Sequence, residues 1–349
     1  MRAEVAAALE RAERATLVFD LPAIAAAMRR VAEAARAHGI RALLAAKSFA
    51  HRDVRALAAE LLDGFDVASP GELAALPAAR IVSIADPTGA ALAHAPHGGR
   101  VIAVCETAEQ LRAAPAHAEL AIRVSASLAG RDPAVGAVLE GSGHRRSRFG
   151  LEAPAEIAAL AALARGRRLG LHVHHGPVVA TSAERFVATA RAALAAADFE
   201  PAFLDLGGAW HGIADLPAAL AALRAAVPRA IELIVEPGRL YADGAGFACG
   251  RITAARALAD RELRVCELSR ICHLRWSAIE LCAPAPRPGL GRDVLIVGPT
   301  CFEEDALGQW TIEPAHVAAR AIVRGVTGYA LGWNTGFGGV PPAEVVLVS

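Results

Sequence analysis

The amino-acid sequence predicts an α/β protein in which a (β/α)8 TIM-type barrel is followed by a second, all-β domain. Along the first two thirds of the chain, short apolar runs of strand type alternate with Ala- and Leu-rich segments of helical type. Most of these runs are apolar throughout, as expected for parallel strands that are buried on both faces. Eight strand–helix units are the number that closes a barrel of this kind.

The predicted barrel elements follow one another in a regular order. The strands are expected at residues 42–47, 64–69, 80–85, 100–105, 120–125, 170–175, 202–207 and 232–236. The helices are expected at residues 21–38, 53–62, 71–76, 107–114, 154–165, 182–197 and 216–227. A Pro- and Gly-rich stretch follows Asp86, so the helix after the third strand is expected to be short.

The texture of the sequence changes after Gly238. Gly- and Pro-rich turns separate strand-type runs at residues 246–258, 262–268, 293–297, 320–323 and 344–348. This spacing predicts an all-β domain of barrel or sandwich type. One more apolar run, at residues 15–19, precedes the first barrel helix. We therefore expect a barrel domain at residues 22–242 and a β-domain built from residues 1–21 and 243–349.

The composition argues against several classes of partner. The 349 residues include 36 basic and 36 acidic side chains, so the formal net charge is zero. Nucleic acids and anionic membranes bind basic surfaces, so neither is expected as a partner. No apolar run reaches the roughly 18 residues of a membrane span, and the N-terminus lacks the order of a signal peptide. We expect a cytoplasmic protein whose six cysteines are free thiols.

Lys47 is the only lysine among the 36 basic residues, and all the others are arginine. Cationic roles at the surface tolerate the exchange of lysine for arginine. Covalent amine chemistry does not, because a guanidinium stays protonated and cannot form an imine with an aldehyde. A single lysine can also survive by chance, and composition alone does not separate the two explanations.

The polar residues of the predicted barrel collect at the carboxyl ends of its strands, where barrel enzymes carry their active sites. They are Lys47 on the first strand, Asp66 and Ser69 on the second, His172, His174 and His175 on the sixth, Asp205, Gly207 and Gly208 on the seventh, and Glu236, Gly238 and Arg239 on the eighth. Taken alone, Asp205 or Ser69 is better explained as a cap of a strand or helix. The whole set predicts a site, because isolated charges in buried strands are costly.

These residues fit a phosphorylated pyridine aldehyde. The Lys47 amine is suited to an imine, and Glu236 is an anion that can pair with a protonated pyridine nitrogen. His174 has a flat ring that can stack on the pyridine, while the glycines after the seventh strand let backbone N–H groups approach a phosphate. We therefore predict pyridoxal 5′-phosphate (PLP) as the cofactor. No metal site is predicted, because at most His172 and His174 point the same way from their strand.

Short motifs along nearly the whole chain resemble those of the fold-type III PLP-dependent decarboxylases, the group of ornithine, arginine and diaminopimelate decarboxylases. In order they are Ala-Ala-Lys ending at Lys47, Gly-Phe-Asp-Val-Ala-Ser-Pro-Gly-Glu at 64–72, Arg-Phe-Gly at 148–150, Gly-Leu-His-Val-His at 170–174, Asp-Leu-Gly-Gly at 205–208, Glu-Pro-Gly-Arg at 236–239, Gly-Pro-Thr-Cys at 298–301, Gly-Tyr at 328–329 and Phe-Gly-Gly at 337–339. Each motif alone is weak. Their joint presence in the family's order is highly specific.

The resemblance implies a role for each matching residue. The implied cofactor-binding residues are Lys47, Asp66, His174, Gly207, Gly208, Glu236, Gly238, Arg239 and Tyr329, and the implied catalytic residues are Lys47, His174 and Cys301. Lys47 would hold PLP as a Schiff base and be displaced when the amino-acid substrate forms the external aldimine. The α-carboxylate would leave as CO2, and Cys301 of the partner subunit would protonate the α-carbon. The active enzyme would then be a head-to-tail homodimer with shared active sites.

The chain departs from the family pattern at two functional positions. Pro177 stands where the family has a phosphate-binding serine, and proline offers neither a hydroxyl nor an N–H. Phe302 replaces the acid that recognises the substrate's distal amine, and Asp305 lies three residues beyond it. Phe302, Asp305 and Arg275 are the residues that we expect to contact the substrate. We therefore expect an unusual amino acid, or one carried on a larger molecule, instead of ornithine, lysine or diaminopimelate. Arg275, like Arg270, can receive a distal carboxylate or be a plain surface arginine.

Two other functions stay open at this point. An amino-acid racemase or epimerase shares the barrel and the lysine, but a carboxylate at the pyridine nitrogen, Glu236, favours the strong electron sink that decarboxylation uses. A decarboxylase-like regulator that has lost PLP and acts by binding would not need Lys47, Glu236 and Cys301, all of which are present.

Overall fold

The computed structural model describes residues 1–129, 148–164, 166–175, 182–208, 210–286, 291–312 and 319–349. The chain divides into two compact units. The barrel unit comprises Met28–Lys47 and Arg52–Leu240, and the β-unit comprises Met1–Ala27, Ser48–His51 and Tyr241–Ser349. The domain boundaries expected at residues 22 and 242 stay a prediction.

The chain begins with helix α1 (Ala3–Arg11) and strand β1 (Thr16–Asp20), which belong to the β-unit. The barrel strands follow: β2 Ile40–Ala45, β3 Gly64–Val67, β4 Ile81–Ile84, β5 Arg100–Cys105, β6 Glu119–Arg123, β7 Leu169–His175, β8 Phe203–Gly208 and β9 Glu232–Glu236. These eight parallel strands pair in chain order, and β9 pairs with β2 to close the barrel. The predicted (β/α)8 architecture is confirmed, and each predicted barrel strand overlaps one of these eight.

The barrel helices also fall where the helical pattern predicts them. They are α2 Leu21–Ala37, α3 Arg52–Leu61, α4 Pro70–Ala74, α5 Ala108–Ala113, α6 Pro154–Leu163, α7 Ala183–Ala196 and α8 Leu216–Ala226. Between β4 and β5 the chain forms only the short 3-10 turn Ala90–His94, as the Pro- and Gly-rich stretch there indicates. Ser69 caps α4 by accepting a hydrogen bond from the Glu72 backbone N–H (3.2 Å), which agrees with its expected capping role.

The barrel interior is closed at its lower end by apolar packing and then by an ion network. The buried apolar cluster consists of Leu43, Ile81, Ile102, Val104, Ala121, Phe203 and Ile234. At the amino ends of the strands, Arg100 binds both Glu119 (2.8 Å) and Glu232 (3.0 Å), and Arg168 binds the same two acids (2.6 and 2.9 Å). Since this end is sealed by paired charges, the opposite end is the one free for chemistry.

The β-unit is built mainly from one sheet. After the barrel come β10 Gly246–Ala257, β11 Glu262–Cys266, β12 Glu280–Ala283, β13 Arg292–Val297, β14 Ala306–Ile312, β15 Arg320–Arg324, the short helix α9 Tyr329–Gly332 and β16 Glu344–Val348. The strand order is β12-β15-β10-β11-β13-β14. The second, strand-rich domain is thus confirmed, although the sequence pattern missed β12 and β14.

The N-terminal segment joins this sheet, as the apolar run at residues 15–19 predicts. Strand β1 pairs antiparallel with β10 and parallel with β16. Val5 and Leu9 of α1 are fully buried against Val18, Phe247 and Cys249, which explains why the β-unit has a helix at its amino end. Among the described residues, none of the helices has the length and apolar character needed to cross a membrane.

Candidate active site

The first feature of the site is a row of three residues on adjacent strands at the barrel mouth. The strand register aligns His174 on β7 with Gly207 on β8, and Gly207 with Glu236 on β9. A Cβ atom on Gly207 would lie 2.4 Å from Glu236 Oε2 and 2.8 Å from His174 Cδ2. Gly207 is therefore a glycine because the side chains of its two neighbours fill the space above its backbone.

Lys47 lies in the 3-10 turn Ala46–Ser48, which directly follows β2. Its Nζ donates a hydrogen bond to Asp66 Oδ2 at 2.8 Å, and the Cα of Asp66 on β3 pairs with that of Ala45. The Asp66 side chain is 1% exposed, whereas that of Lys47 is 32% exposed. The carboxylate thus fixes the amine from below and leaves it accessible at the mouth.

A buried polar cluster lies in the same barrel interior. His172 Nε2 is 3.6 Å from Glu236 Oε2, and Ser83 Oγ donates to Asp205 Oδ2 at 3.3 Å. One donor atom from each of His172, Asp205 and Glu236 lies within 4.8 Å of the others. Asp205, which the sequence places in the predicted set and explains as a cap only when taken alone, is completely buried inside the barrel. Ser83 is a residue of this cluster that the sequence analysis missed.

The charges of this cluster shift the pKa values of its acids in opposite directions. Burial alone would raise the pKa of Glu236, but electrostatic interaction and hydrogen bonding with His172, together with the charge of Lys47, outweigh it and lower that pKa to about 2. Burial, together with the negative charges of Glu236 and Asp66, raises the pKa of Asp205 well above its ordinary value. One acid is therefore strongly ionised while its neighbour favours the neutral form.

The cluster is better suited to hydrogen bonding than to a metal ion. His172, Asp205 and Glu236 offer one ligand atom each, and all three residues are at most 3% exposed. A metal ion between them would have three protein ligands, one fewer than the four of a structural zinc site. No metal site was predicted from the sequence, and that expectation stays a prediction.

Arg123 and Glu106 form a second group that the sequence analysis did not single out. Arg123 Nη1 is 3.3 Å from Glu106 Oε1, and the guanidinium lies 4.5 Å from the centre of the Phe149 ring. Glu106 Oε2 accepts a hydrogen bond from the Gly150 N–H at 2.9 Å. The Arg-Phe-Gly motif is thus anchored beside β6. A charged residue at the carboxyl end of a predicted strand was the available signal for Arg123.

The proposed phosphate-binding segments follow two adjacent strands. Gly208 ends β8 with φ of +101°, a conformation that favours glycine, and Gly238 and Arg239 follow β9. The Ala45 N–H donates to the Pro237 carbonyl at 3.3 Å, which places the turn after β9 beside the end of β2. Pro177, the departure from the family's serine, lies outside the described residues.

The remaining site residues of the sequence analysis lie in the β-unit. Cys301 is an exposed free thiol, and the next side chain, Phe302, is 49% exposed. The Phe302 ring packs edge to face against Phe337, which is itself 46% exposed, with ring centres 5.2 Å apart. These apolar side chains next to a thiol form an exposed surface of the kind that marks a binding site.

Asp305 corrects the expectation that it contacts the substrate. It is 1% exposed, and its Oδ1 accepts hydrogen bonds from Ser269 Oγ (2.9 Å) and the Arg270 N–H (2.6 Å). Its Oδ2 accepts from the Thr300 N–H (3.1 Å) and hydroxyl (2.7 Å). Because both carboxylate oxygens are occupied by the protein, Asp305 holds the loop that carries Cys301 and does not face a ligand.

The two candidate arginines of the β-unit differ in their surroundings. Arg270 Nη1 donates to the carbonyls of Leu274 (3.4 Å) and Ser277 (2.6 Å), so its guanidinium is used within the loop. Arg275 is exposed, and its guanidinium lies 4.5 Å from the centre of the Trp333 ring. Of the two, Arg275 is the one available to a ligand.

Tyr329 lies in an aromatic group of the same unit. The ring of Trp276 is 5.3 Å from that of Tyr329 and 5.3 Å from that of Trp333, edge to face in both cases. Trp276 is 51% exposed and has φ of +62°, a strained conformation for a bulky residue. Strain of this kind is found most often where function requires it.

The comparisons with known proteins identify the family. A model described as "Pyridoxal-dependent decarboxylase, pyridoxal binding domain" matches residues 21–243. The chain therefore belongs to the pyridoxal-dependent decarboxylases. Pyridoxal phosphate is the cofactor of this family, so the predicted family, enzyme class and cofactor are confirmed. No match was found among curated proteins.

Solved structures share the fold at low sequence identity. The arginine decarboxylase of Paramecium bursaria Chlorella virus is 16% identical, with a TM-score of 0.80 and coverage of 100% of both chains. The lysine/ornithine decarboxylase of Vibrio vulnificus is 17% identical, with a TM-score of 0.78 and coverage of 100% of both chains. The diaminopimelate decarboxylase of Helicobacter pylori is 17% identical, with a TM-score of 0.77, and the match covers 99% of this chain and 94% of that one.

His174 generates a prediction about pH. Burial, helped by the positive charges of Lys47 and Arg123, lowers the pKa of His174 to about 3 from 6.5. Below pH 6.5 the unfolded chain binds a proton at this ring that the folded chain does not, so stability present above pH 6.5 is lost as the pH falls. We expect the unfolding free energy of the cofactor-free wild type to fall more steeply below pH 6.5 than that of His174→Gln, by at most about 1.4 kcal/mol per pH unit. Denaturant titrations measure it, and parallel curves for the two proteins would contradict it.

Proposed function

We propose that this enzyme removes the α-carboxylate of an amino acid with a large, partly apolar side chain, with PLP bound at the barrel mouth. The observation that carries the proposal is the ion pair of Lys47 with the buried Asp66, at the same end of the barrel as Glu236 and His174. A lysine held there by a carboxylate is positioned for covalent capture of an aldehyde.

The unoccupied hydrogen-bonding capacity of Glu236 supports the fit to a pyridine ring. Within the described part of the chain, Glu236 Oε1 is buried and has no hydrogen-bond partner. A buried carboxylate oxygen without a donor is costly, and a protonated ring nitrogen supplies one. The low pKa of Glu236 keeps it ionised at neutral pH, so it favours the protonated ring.

PLP, when bound, supplies an electron sink for the electrons left on the α-carbon as CO2 departs. Lys47 would hold the cofactor covalently and give way to the substrate's amine. His174, which its low pKa keeps uncharged, would face the ring without opposing its positive charge. Gly208, Gly238 and Arg239, and by the family resemblance Tyr329, would offer backbone N–H groups, a guanidinium and a phenol to the phosphate.

The proton that returns to the α-carbon is assigned to a thiol. Cys301 is exposed at the tip of the loop pinned by Asp305. We expect a head-to-tail homodimer in which Cys301 of the partner subunit donates this proton. The shared site follows from the family resemblance, and the exposure of the thiol is consistent with it.

The substrate side chain is inferred from the surface around Cys301. Phe302 and Phe337 present two half-exposed rings, where an acid would bind a distal ammonium. Arg275, stacked on Trp333, adds an exposed cation to the same unit. These residues fit a side chain with an apolar portion and a distal anionic group better than the side chains of ornithine or lysine. An amino acid carried on a larger molecule meets the same description.

The first of three predictions from the proposed function concerns covalent capture of PLP by Lys47. Because it is the only lysine, borohydride reduction of the PLP-loaded protein should label one lysine-containing peptide, detected by mass spectrometry. Lys47→Arg keeps a cation beside Asp66 but cannot form an imine, so it should lose both the label and the visible absorption band. A label elsewhere, or an unchanged band in Lys47→Arg, would refute this role. A wild-type protein that never takes up PLP would favour the binding-protein alternative.

The second prediction concerns the shared site. Lys47→Ala and Cys301→Ala should each lose decarboxylation as separate homodimers. Mixed dimers have one intact site when the two residues come from different subunits, so an equimolar mixture should recover about a quarter of wild-type activity. Mixing Lys47→Ala with the double variant is the control and should recover none. Failure of the first mixture to recover activity, with mixed dimers verified by mass spectrometry, would rule out the shared site.

The third prediction concerns substrate choice and is measured as CO2 release from a panel of amino acids. Wild type should turn over ornithine, lysine and diaminopimelate poorly. Phe302→Asp should raise kcat/KM for these substrates by roughly tenfold, which corresponds to about 1.4 kcal/mol of added pairing with the distal ammonium. Phe302→Asn is the matched control, because it has the same size without the charge. High kcat/KM of wild type on ornithine would overturn the substrate proposal, and loss of optical rotation without CO2 would favour a racemase.

A further inference from the structure

Among the residues that the structure describes, three buried acids in the barrel interior outnumber the cations that face them. Asp66, Asp205 and Glu236 are all at most 3% exposed. Lys47 pairs with Asp66 at 2.8 Å, and His172 lies 3.6 Å from Glu236. Even with His172 protonated, these two cations neutralise two of the three acids. An unpaired buried carboxylate is costly enough that it takes up a proton instead.

Within the described part of the chain, the other nearby basic residues do not supply the missing charge. Arg123 lies on β6, where its Cα pairs with that of His172 on β7, and its guanidinium forms an ion pair with Glu106 at 3.3 Å. The ring of His174 is kept neutral by its low pKa. The groups facing Asp205 are therefore Ser83 on β4, the acids Asp66 and Glu236, and His172 on β7.

The hydrogen bonds of Asp205 indicate where its proton lies. Oδ2 accepts from the Ser83 hydroxyl at 3.3 Å. Oδ1 is buried, and none of the described residues donates a hydrogen bond to it. An ionised Asp205 would leave Oδ1 as a bare negative oxygen, whereas a protonated Oδ1 becomes a donor toward the Glu236 carboxylate.

We infer that Asp205 is a positioning residue that is held as the neutral acid and donates a hydrogen bond from Oδ1 to Glu236. This inference rests on the proposed function for its consequence, since it is Glu236 that pairs with the cofactor ring. Asp205 adds a donor and no charge, so Glu236 remains the single anion at the ring nitrogen. Its raised pKa, from burial and from Glu236 and Asp66, is consistent with this state.

The protonation of Asp205 is tested by infrared difference spectroscopy of the PLP-loaded protein, wild type minus Asp205→Asn, at neutral pH. Asparagine is a neutral isostere that can accept from Ser83 through its oxygen and donate through its amide nitrogen. We expect the difference spectrum to contain the carbonyl stretch of a protonated carboxyl group. This band should shift in deuterated water, because the carboxyl proton exchanges for deuterium. Bands of an ionised carboxylate in its place would overturn the inference.

The positioning role is tested by cofactor affinity and by the pH profile of the visible absorption band. Asp205→Asn preserves the donor, so its PLP dissociation constant should stay within about fivefold of wild type, with the same pH profile. Asp205→Ala leaves Glu236 without the donor and should weaken PLP binding by about 10- to 100-fold. If Asp205→Asn weakens binding as much as Asp205→Ala, the positioning role is wrong.

Two controls keep these outcomes interpretable. Ser83→Ala removes only the hydrogen bond that orients Asp205, so it should weaken PLP binding less than Asp205→Ala does. If Asp205→Ala does not fold, Ser83→Ala takes its place as the variant that perturbs Asp205. An effect of Ser83→Ala equal to that of Asp205→Ala would contradict the assignment of the proton to Oδ1. The label on Lys47 reports on the proposed function separately. A protonated Asp205 without that label would refute the function and not the protonation state.

Discussion

The register of the closed parallel sheet is the constraint on which the site depends. It sets His174, Gly207 and Glu236 side by side on three neighbouring strands, and it sets His172 beside Asp205 two residues lower. Because side chains alternate between the two faces of a strand, a slip of one residue would turn each of these groups away from the interior. The apolar layers below the site resist such a slip, since they must remain inside as well. Packing of the barrel core therefore fixes the relative positions of the polar side chains at the site.

The two ends of the barrel treat charge in opposite ways. At the base, Arg100 and Arg168 alternate with Glu119 and Glu232, and these side chains keep between 20% and 40% of their exposure. Paired and partly hydrated charges there cost little and stabilise the fold modestly. At the mouth, the buried acids of the described residues outnumber the cations paired with them, which costs stability unless a ligand or a proton compensates. The mouth is thus poorly satisfied without a cofactor, and binding recovers part of that cost.

The sequence predicted most of the barrel because its signals there are local. Apolar runs with polar carboxyl ends are visible in the order of residues, and these identified Lys47 and Glu236. The pairing of Asp205 with Ser83 was not visible, because the two residues are 122 positions apart and meet only when the barrel closes. The role expected for Asp305 was not found, for a similar reason. The Asp305 carboxylate binds backbone N–H groups of its own unit instead of facing a ligand, and composition does not reveal where such N–H groups lie.

The loop that carries Cys301 shows how substrate choice can change while the fold is kept. The Asp305 carboxylate accepts a hydrogen bond from the Thr300 N–H, and the Gly298 N–H donates to the Asp305 backbone carbonyl at 2.6 Å. A Cβ on Gly298 would lie only 2.2 Å from the Asp305 carboxylate, so the loop closes tightly on this acid. Phe302 takes part in this loop through its backbone: its carbonyl accepts from the Asp305 N–H (3.0 Å), and its N–H donates to the Thr300 hydroxyl (3.4 Å). Its ring is 49% exposed. Its side chain is therefore free of the loop's hydrogen bonds. Replacing an acid by phenylalanine at position 302 therefore changes which substrate side chain this surface can bind. It does not change the hydrogen bonds of Asp305 that hold the loop carrying Cys301.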